Sequence, residues 1–425
     1  MGTVVAPLEH HTREPIVSLS DAASSVPQRH TNTIPKGTEP SFQWNGNEGY
    51  ITSPLLPTEP DPAFWEVLMQ DWGLSPDTTE VVDGSVNIRG WDSNMGGGEI
   101  HRMKYYRAQI RRRQGGERSI NVDLLCEKVL KRKPLKSVSF VNTVDRALVI
   151  TFSDWQTGKG EGGGPEAMTE RICLAQDRVV ERVKELRKAG REPSRIYIAG
   201  MGDLVEQCDG HYDMQAFQTV LTRRQQKDLA VYLIDRMVEL LVDNFPEIQV
   251  ILTAVPGNHG ENRRNGRAFT DWLDNDDLDV FTSAYRCYLK NPDRYKNVSM
   301  PQFDGILQED LTITLDICGV PVTFAHGHQF GKGNGGGTVA KIEAWWKGQV
   351  MGRTPAADSA ILISGHYHHF VASEGTGRQV FQCPAMDGGS KWFTSQTGAN
   401  SPAGMLTVGI GLDYGTRGWG DLLII

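Results

Sequence analysis

Val250-Ile251-Leu252-Thr253-Ala254-Val255-Pro256-Gly257-Asn258-His259-Gly260-Glu261-Asn262 opens as an apolar, β-branched run and stops at Pro256-Gly257. Such a run reads as a buried strand. Directly past its end come an amide, an imidazole and a carboxylate. Open α/β sheets bind ligands just beyond the carboxyl ends of their strands. Gly257-Asn258-His259 is therefore a candidate site whose standing depends on what other strand ends supply.

Working outward, the chain alternates strand and helix from about Val138. Ala147 to Phe152 reads as a buried strand ending at Ser153-Asp154-Trp155-Gln156. Pro165 opens a helix with Met168, Ile172, Ala175, Val179, Val183 and Leu186 on one face, closed by Gly190. Arg195 to Ala199 is the next strand, ending at Gly202-Asp203-Leu204-Val205-Glu206. A long helix follows, with Leu229, Tyr232, Leu233, Met237, Leu240 and Leu241 expected to be buried. After a polar helical region from Ala268 to about Lys290 the sequence turns β-rich. A hairpin around Cys318-Gly319 ends at His326-Gly327-His328, and Ala360 to Ser364 ends at Gly365-His366-Tyr367-His368-His369. Strand-helix-strand alternation implies right-handed crossovers and a mostly parallel sheet covered on both faces. The expected class is α/β, with mixed sheets flanked by helices.

Three segments are expected: a mobile tail over 1–40, a small basic α+β domain over 41–136, and the α/β domain over 137–425. In the small domain, Phe42 to Trp44 and Tyr50 to Thr52 flank a turn and read as a hairpin. Pro62 to Leu74 reads as a helix, and Val81-Val82, Val86 to Arg89 and Ile100 to Ile110 read as strands. Net charge is −8, yet His101 to Lys136 alone carries twelve Lys/Arg against three acids. Arg107, Arg111 and the neighbouring Tyr105-Tyr106 have the composition of a phosphate-tracking, base-stacking surface. A sheet edge guarded by charge is the alternative. Lys131-Arg132-Lys133-Pro134 reads as the linker. The six scattered cysteines form no Cys-x-x-Cys pair and are expected to be free thiols in a reducing cytoplasm. No apolar run is long enough to span a membrane.

Five strand ends thus carry polar clusters of one kind: Asp154 and Gln156, Asp203, Asn258 and His259, His326, and His366 and His368. Carboxylate, amide oxygen and imidazole are together a ligand set for Mn²⁺, Fe²⁺ or Zn²⁺. In this order the motifs resemble the calcineurin-like metallophosphoesterase superfamily, whose pattern is Asp-x-His, Gly-Asp-x-x-(Asp/Glu), Gly-Asn-His-(Asp/Glu), a separate His, and Gly-His-x-His. The resemblance covers roughly Val138 to Ile425 and implies an α/β/β/α sandwich with two divalent ions, Mn²⁺ foremost, then Mg²⁺, Fe²⁺ or Zn²⁺. It implies that Asp154, Gln156, Asp203 and His368 surround one ion, and Asp203, Asn258, His326 and His366 the other. It also implies His259 as general acid and a bridging hydroxide as nucleophile. His328 competes with His326 for its role, and His211 and His369 read as rim or surface residues.

Two departures stand out. Gln156 occupies the position of a family histidine, which predicts dependence on Mn²⁺ or Mg²⁺ and a weakly held ion. Gly260 replaces the acid after His259, and Glu261 is expected to take over orienting that imidazole. Gly158-Lys159-Gly160-Glu161-Gly162-Gly163-Gly164 and Gly331-Lys332-Gly333-Asn334-Gly335-Gly336-Gly337 match at six of seven positions. Lys159 and Lys332 are expected to meet substrate phosphates from two glycine loops at the cleft. The resemblance runs toward the branch of the superfamily that processes DNA ends, and DNA is the expected partner, with a homodimer also compatible with the sequence. A hydrolase of small phosphodiesters or phosphoproteins is the alternative, and a non-catalytic scaffold with a degenerate metal site is the third reading.

Overall fold

Ser41–Trp44 (β1) and Glu48–Thr52 (β2) pair antiparallel, with Phe42 opposite Ile51, as the hairpin pattern predicts. They lie in the first of two units of this computed structural model, Met1–Gly116 and Glu117–Ile425. The structure describes residues 40–44, 48–56, 59–74, 76, 79–94, 100–113, 121–135, 146–213, 215–264, 266–303, 311–331, 337–389 and 401–425. In the first unit, helix α1 (Pro62–Asp71) begins where the Asp61 carboxylate accepts the Phe64 N–H at 2.8 Å. Strands β3 (Thr79–Val81) and β4 (Asn87–Asn94) pair with the long β5 (Ile100–Arg112), which also pairs with β2. Trp65, Leu68 and Met69 of α1 pack with Trp44, Ile51, Tyr106, Ala108 and Ile110. Tyr106 is therefore a core residue, only 1% exposed, and not the stacking platform its basic neighbours suggest.

The second unit runs through α2 (Val122–Lys131), β6 (Ala147–Phe152), α3 (Gly164–Lys188), β7 (Arg195–Gly200), a single turn α4 (Gln215–Gln218) and α5 (Arg223–Asn244). It continues with β8 (Gln249–Ala254), the short hairpin β9 (Arg263–Arg264) and β10 (Arg267–Ala268), α6 (Asp276–Tyr288), β11 (Val298–Ser299), β12 (Thr312–Ile317) and β13 (Val320–Ala325). Helix α7 (Thr338–Gly352), β14 (Ile361–Ser364), β15 (Val371–Gly375), β16 (Arg378–Gln382), β17 (Leu406–Ile410) and β18 (Trp419–Ile424) complete it. One sheet has the order β11-β8-β7-β6-β17-β18, parallel as far as β6 and antiparallel beyond. The other has the order β12-β13-β14-β16-β15, with β13, β14 and β16 parallel.

Strand alternation sets the layers. Leu148, Ile150, Phe152, Ile196, Ile198, Val250 and Leu252 face α3, α5 and α6 in one core. Their neighbours Ala147, Val149, Tyr197, Ala199 and Ile251 face Val322, Phe324, Ile361, Ile363 and Phe381 of the second sheet. On the far side of that sheet Ala325, Leu362 and Val380 pack with Ile342 and Trp346 of α7. The result is a helix, sheet, sheet, helix stack, the mixed α/β class that the sequence pattern predicts.

Four expectations change. Lys131 to Pro134 is no linker: α2 buries Leu125 and Val129 in the second unit's core, and Arg132 makes two 2.8 Å bonds to Asp235 and one of 2.6 Å to Tyr295. Its basic residues hid an amphipathic helix. Cys126 and Cys287, 161 residues apart, form a disulfide joining α2 to α6, while Cys173, Cys208, Cys318 and Cys383 take part in no disulfide among the described residues. Tyr232 is exposed, since the buried face of α5 is centred on Leu233, Met237 and Leu241. The region after Ala268 becomes helical only at Asp276, where Asn275 caps it. No helix among the described residues is long and apolar enough to cross a membrane.

Arg132 and α2 generate a test of this architecture. Loss of Arg132 leaves Asp235 buried without its fork, a situation that costs about 3–5 kcal/mol. A fragment 117–425 is expected to unfold at a clearly higher temperature than a fragment 137–425. Equal melting temperatures in calorimetry would contradict the placement of α2.

Candidate metal centre

The loops after β6 and β7 are zipped together before any side chain acts. Asp154 N–H donates to Gly202 O at 3.2 Å, Gln156 N–H to Asp203 O at 2.9 Å, and Thr157 N–H to Leu204 O at 3.0 Å. Gly365 N–H donates to His326 O at 2.8 Å, joining the ends of β13 and β14. Five expected ligands hold left-handed backbone: Asp154 (φ 50°), Gln156 (45°), Asp203 (54°), His366 (72°) and His368 (59°). They are half of the ten non-glycine residues with positive φ among those described. Such conformations cost of order 1–3 kcal/mol each and persist where the surroundings enforce them. Close approach is enforced too, since a Cβ on Gly202 would lie 2.7 Å from His326 Nδ1, and one on Gly365 2.5 Å from Ser153 Oγ.

Asp203 sits at the middle. Its Oδ2 lies 3.0 Å from His326 Nε2, and its Oδ1 accepts the His259 N–H at 2.7 Å. His326 Nε2 is 3.2 Å from Asn258 Oδ1, while its Nδ1 donates to Met201 O at 2.7 Å. Asp203, His326 and His366 each bring one ligand atom within 4.8 Å of the others. On the other side Asp154 Oδ1 lies 3.3 Å from His368 Nε2, and His368 Nδ1 lies 3.6 Å from Asp387 Oδ2. Ser153 Oγ–H and the His366 N–H both donate to Asp154. The donor set fits divalent cations, and the second nitrogen of each pairing imidazole is held by a carbonyl or carboxylate, as metal-binding histidines require.

The charges alternate. Burial works against a charged His326, but the Asp203 carboxylate outweighs it and raises the imidazole to about 9. Burial and then the His326 charge push His366 down to about 4. Burial would raise Asp154 and Asp203, yet the facing His368 and His326 hold both carboxyls below their ordinary values. Asp203–His326 and Asp154–His368 are thus two buried carboxylate–imidazole pairs.

His259 is oriented by Glu206, not by Glu261 as expected. Its Nδ1 lies 3.1 Å from Glu206 O and 3.4 Å from Glu206 Oε2. Glu206 is buried, and its other oxygen accepts from Tyr212 at 2.6 Å. Glu261 instead binds Arg263 at 2.8 Å and lies 3.6 Å from His328. His326 lies 3.0 Å from Asp203 while the nearest carboxylate to His328 is Glu261, so the geometry favours His326 as the ligand. His211, expected on the rim, stacks on His259 with ring centroids 4.3 Å apart and planes 2° from parallel. Burial and then the adjacent His259 keep it neutral, at about 3. His369 Nδ1–H donates to Tyr367 O at 2.7 Å.

The two departures acquire physical reasons. A Cβ at Gly260 would sit 2.2 Å from Asn275 Oδ1 and 2.6 Å from Asp277 Oδ2. A carboxylate from α6 fills the space that a side chain at 260 would need. Asp277 accepts N–H bonds from Asp203 (3.0 Å), Leu204 (2.8 Å) and Gly257 (2.9 Å). Gln156 faces a cation already built into the chain: Lys159 Nζ lies 3.0 Å from Gln156 Oε1 and 2.5 Å from Asp387 Oδ2. Lys159 is therefore engaged inside the site, correcting its expected role on an open phosphate-binding lip. Its loop is also packed down, with Gly160 N–H donating to Gln218 O and Arg171 to Gly162 O. Lys332 lies outside the described residues. Arg111 is paired with Glu80 at 2.9 Å and Arg107 lies 4.3 Å over the Tyr50 ring, both within the first unit.

Glu206, His211, Asp277 and Asp387 were missed as site residues because their partners lie far away in sequence; only Glu206 had a signal, its place in the Gly202-Asp203 motif. Lys159→Met is expected to free the Gln156 oxygen and tighten Mn²⁺ binding roughly tenfold, read by calorimetric titration. Isotherms unchanged in both Lys159→Met and Gln156→His would remove this pair from the metal site.

No family model matches the sequence, and no curated protein matches it. Among solved structures, the chain is similar to Vacuolar Protein Sorting 29 from Cryptosporidium parvum, at 14% identity and a TM-score of 0.28, covering 63% of this chain and 86% of that one. A predicted phosphoesterase from Streptococcus pneumoniae aligns at 12% identity and a TM-score of 0.26, covering 63% and 85%. An archaeal phosphodiesterase aligns at 10% identity and a TM-score of 0.29, covering 66% and 99%.

Proposed function

We propose that this chain is a two-metal-dependent phosphoesterase of the calcineurin-like type, and that it hydrolyses phosphodiester bonds in DNA. The observation that carries the reading is Asp203, whose two oxygens reach His326 on one side and the His259 backbone on the other. Asp154, Gln156, Asp203 and His368 would hold one cation, and Asp203, Asn258, His326 and His366 the other. When bound, such cations supply Lewis-acid polarisation of the phosphoryl oxygens and a water acidic enough to react near neutral pH.

The chain's own groups do the rest. His259, anchored through Nδ1 to Glu206, presents Nε2 to the leaving oxygen and can give it a proton. Stacked His211 stays neutral and fixes the plane of that ring. Lys159 keeps a positive charge against Gln156 and Asp387 on the side where the ligand set is poorest. The DNA reading is supported by the basic stretch around Arg107 in the first unit, although Arg111 and Tyr106 there are already committed.

Cleavage of end-labelled DNA and of bis(p-nitrophenyl) phosphate with Mn²⁺, against EDTA, tests this. His259→Ala is expected to lose about 10²–10⁴-fold in turnover while still binding metal. Glu206→Gln is expected to lose much more than Glu261→Gln, because only Glu206 touches the ring. Turnover of the small diester alone would favour a small-substrate hydrolase, and bound metal without any turnover would favour a scaffold.

A further inference from the structure

The excursion 262–274 leaves the chain directly after the His259 loop and returns to it. Glu261 and Asn275 bridge antiparallel at its base, and the Asp276 N–H closes on Gly260 O at 2.9 Å. The metal-site frame therefore anchors both of its ends. Near the root, Gly210, next to the stacked His211, is close against Arg263: a Cβ there would meet the Arg263 Cβ at 3.0 Å.

Its outward side chains form an unusual set. In the hairpin β9/β10, Arg264 lies directly opposite Arg267. Like charges in that arrangement destabilise a pair of strands. Both are exposed, and neither has an ion pair among the described residues. The two acids of the excursion are turned to holding its shape. Asp274 accepts from Asn262 Nδ2 at 2.9 Å, and Asp271 accepts the Leu273 N–H at 2.9 Å. In the same excursion Phe269 is 66% exposed and Trp272 45% exposed.

Two exposed cations with no ion pair among the described residues, together with two exposed aromatic rings, are what a backbone phosphate and an unstacked base require. We propose that 262–264 and 266–274 form a substrate lip that holds single-stranded nucleic acid, with phosphates on Arg264 and Arg267 and bases on Phe269 and Trp272. A duplex keeps its bases stacked on each other and offers those rings little. This inference rests on the phosphoesterase reading and names its substrate class.

The test is fluorescence anisotropy of labelled oligo(dT), oligo(U) and a duplex on the full chain in EDTA, across a salt series. Both single strands are expected to bind more tightly than the duplex. Phe269→Ala with Trp272→Ala is expected to weaken single-strand binding about tenfold or more and to spare the duplex. Each of Arg264→Ala and Arg267→Ala is expected to lower the slope of log affinity against log salt by about 0.7. Arg353→Ala, elsewhere on the surface, serves as control and is expected to bind as wild type. Lip variants that bind oligo(dT) like wild type would overturn the lip while Mn²⁺-dependent hydrolysis of bis(p-nitrophenyl) phosphate by wild type still stands. Absence of that hydrolysis in wild type would instead overturn the reading beneath it.

Discussion

A single buried carboxylate ties this site together. Asp277, in the first turn of α6, accepts three backbone N–H bonds from the loops after β7 and β8. Those loops carry Asp203, Asn258, His259 and Glu206. Burial first, and then the charge of Asp203, raise Asp277 to about 7, while the N–H bonds pull the other way. Without it three buried donors would lose their acceptor, at about 1–3 kcal/mol each. That sum is a large part of the roughly 5–15 kcal/mol that holds a typical domain folded. The helix contributes as well, since an acid in a first turn faces the positive end of the macrodipole.

The strands and the polar clusters at their ends are legible in the sequence because both are written locally. Ala147 to Phe152 and Val250 to Ala254 are continuous apolar runs, and a polar cluster after each marks its end. The stack of layers follows from their alternation. What the sequence hid are pairings across long separations. Nothing near Asp277 announces that it serves Asp203, 74 residues away. Lys159 looks like a free loop cation until Asp387, 228 residues on, is placed beside it. Tyr106 reads as an exposed aromatic because its neighbours are basic, yet period two sends it into the core. Lys131 to Pro134 reads as a linker because its charge hides that it closes the amphipathic helix α2.

The same geometry accounts for the chain's departures from the pattern it resembles. Gly260 lacks a side chain because Asn275 and Asp277 already occupy that space. Gln156 is neutral where an imidazole is expected, and Lys159 stands beside it with its charge balanced by Asp387. The two sides of Asp203 are therefore chemically unequal. One offers two imidazoles and an amide, Asn258, with His326 locked by Met201 O. The other offers one imidazole, His368, and an amide oxygen already engaged by an ammonium.

The most direct measurement of this account is the position of metal in crystals soaked with Mn²⁺, read from anomalous scattering. The account predicts a strong peak among Asp203, Asn258, His326 and His366, and a weaker one beside Asp154 and His368. Peaks only at surface carboxylates, or none within bonding distance of Asp203, would contradict it.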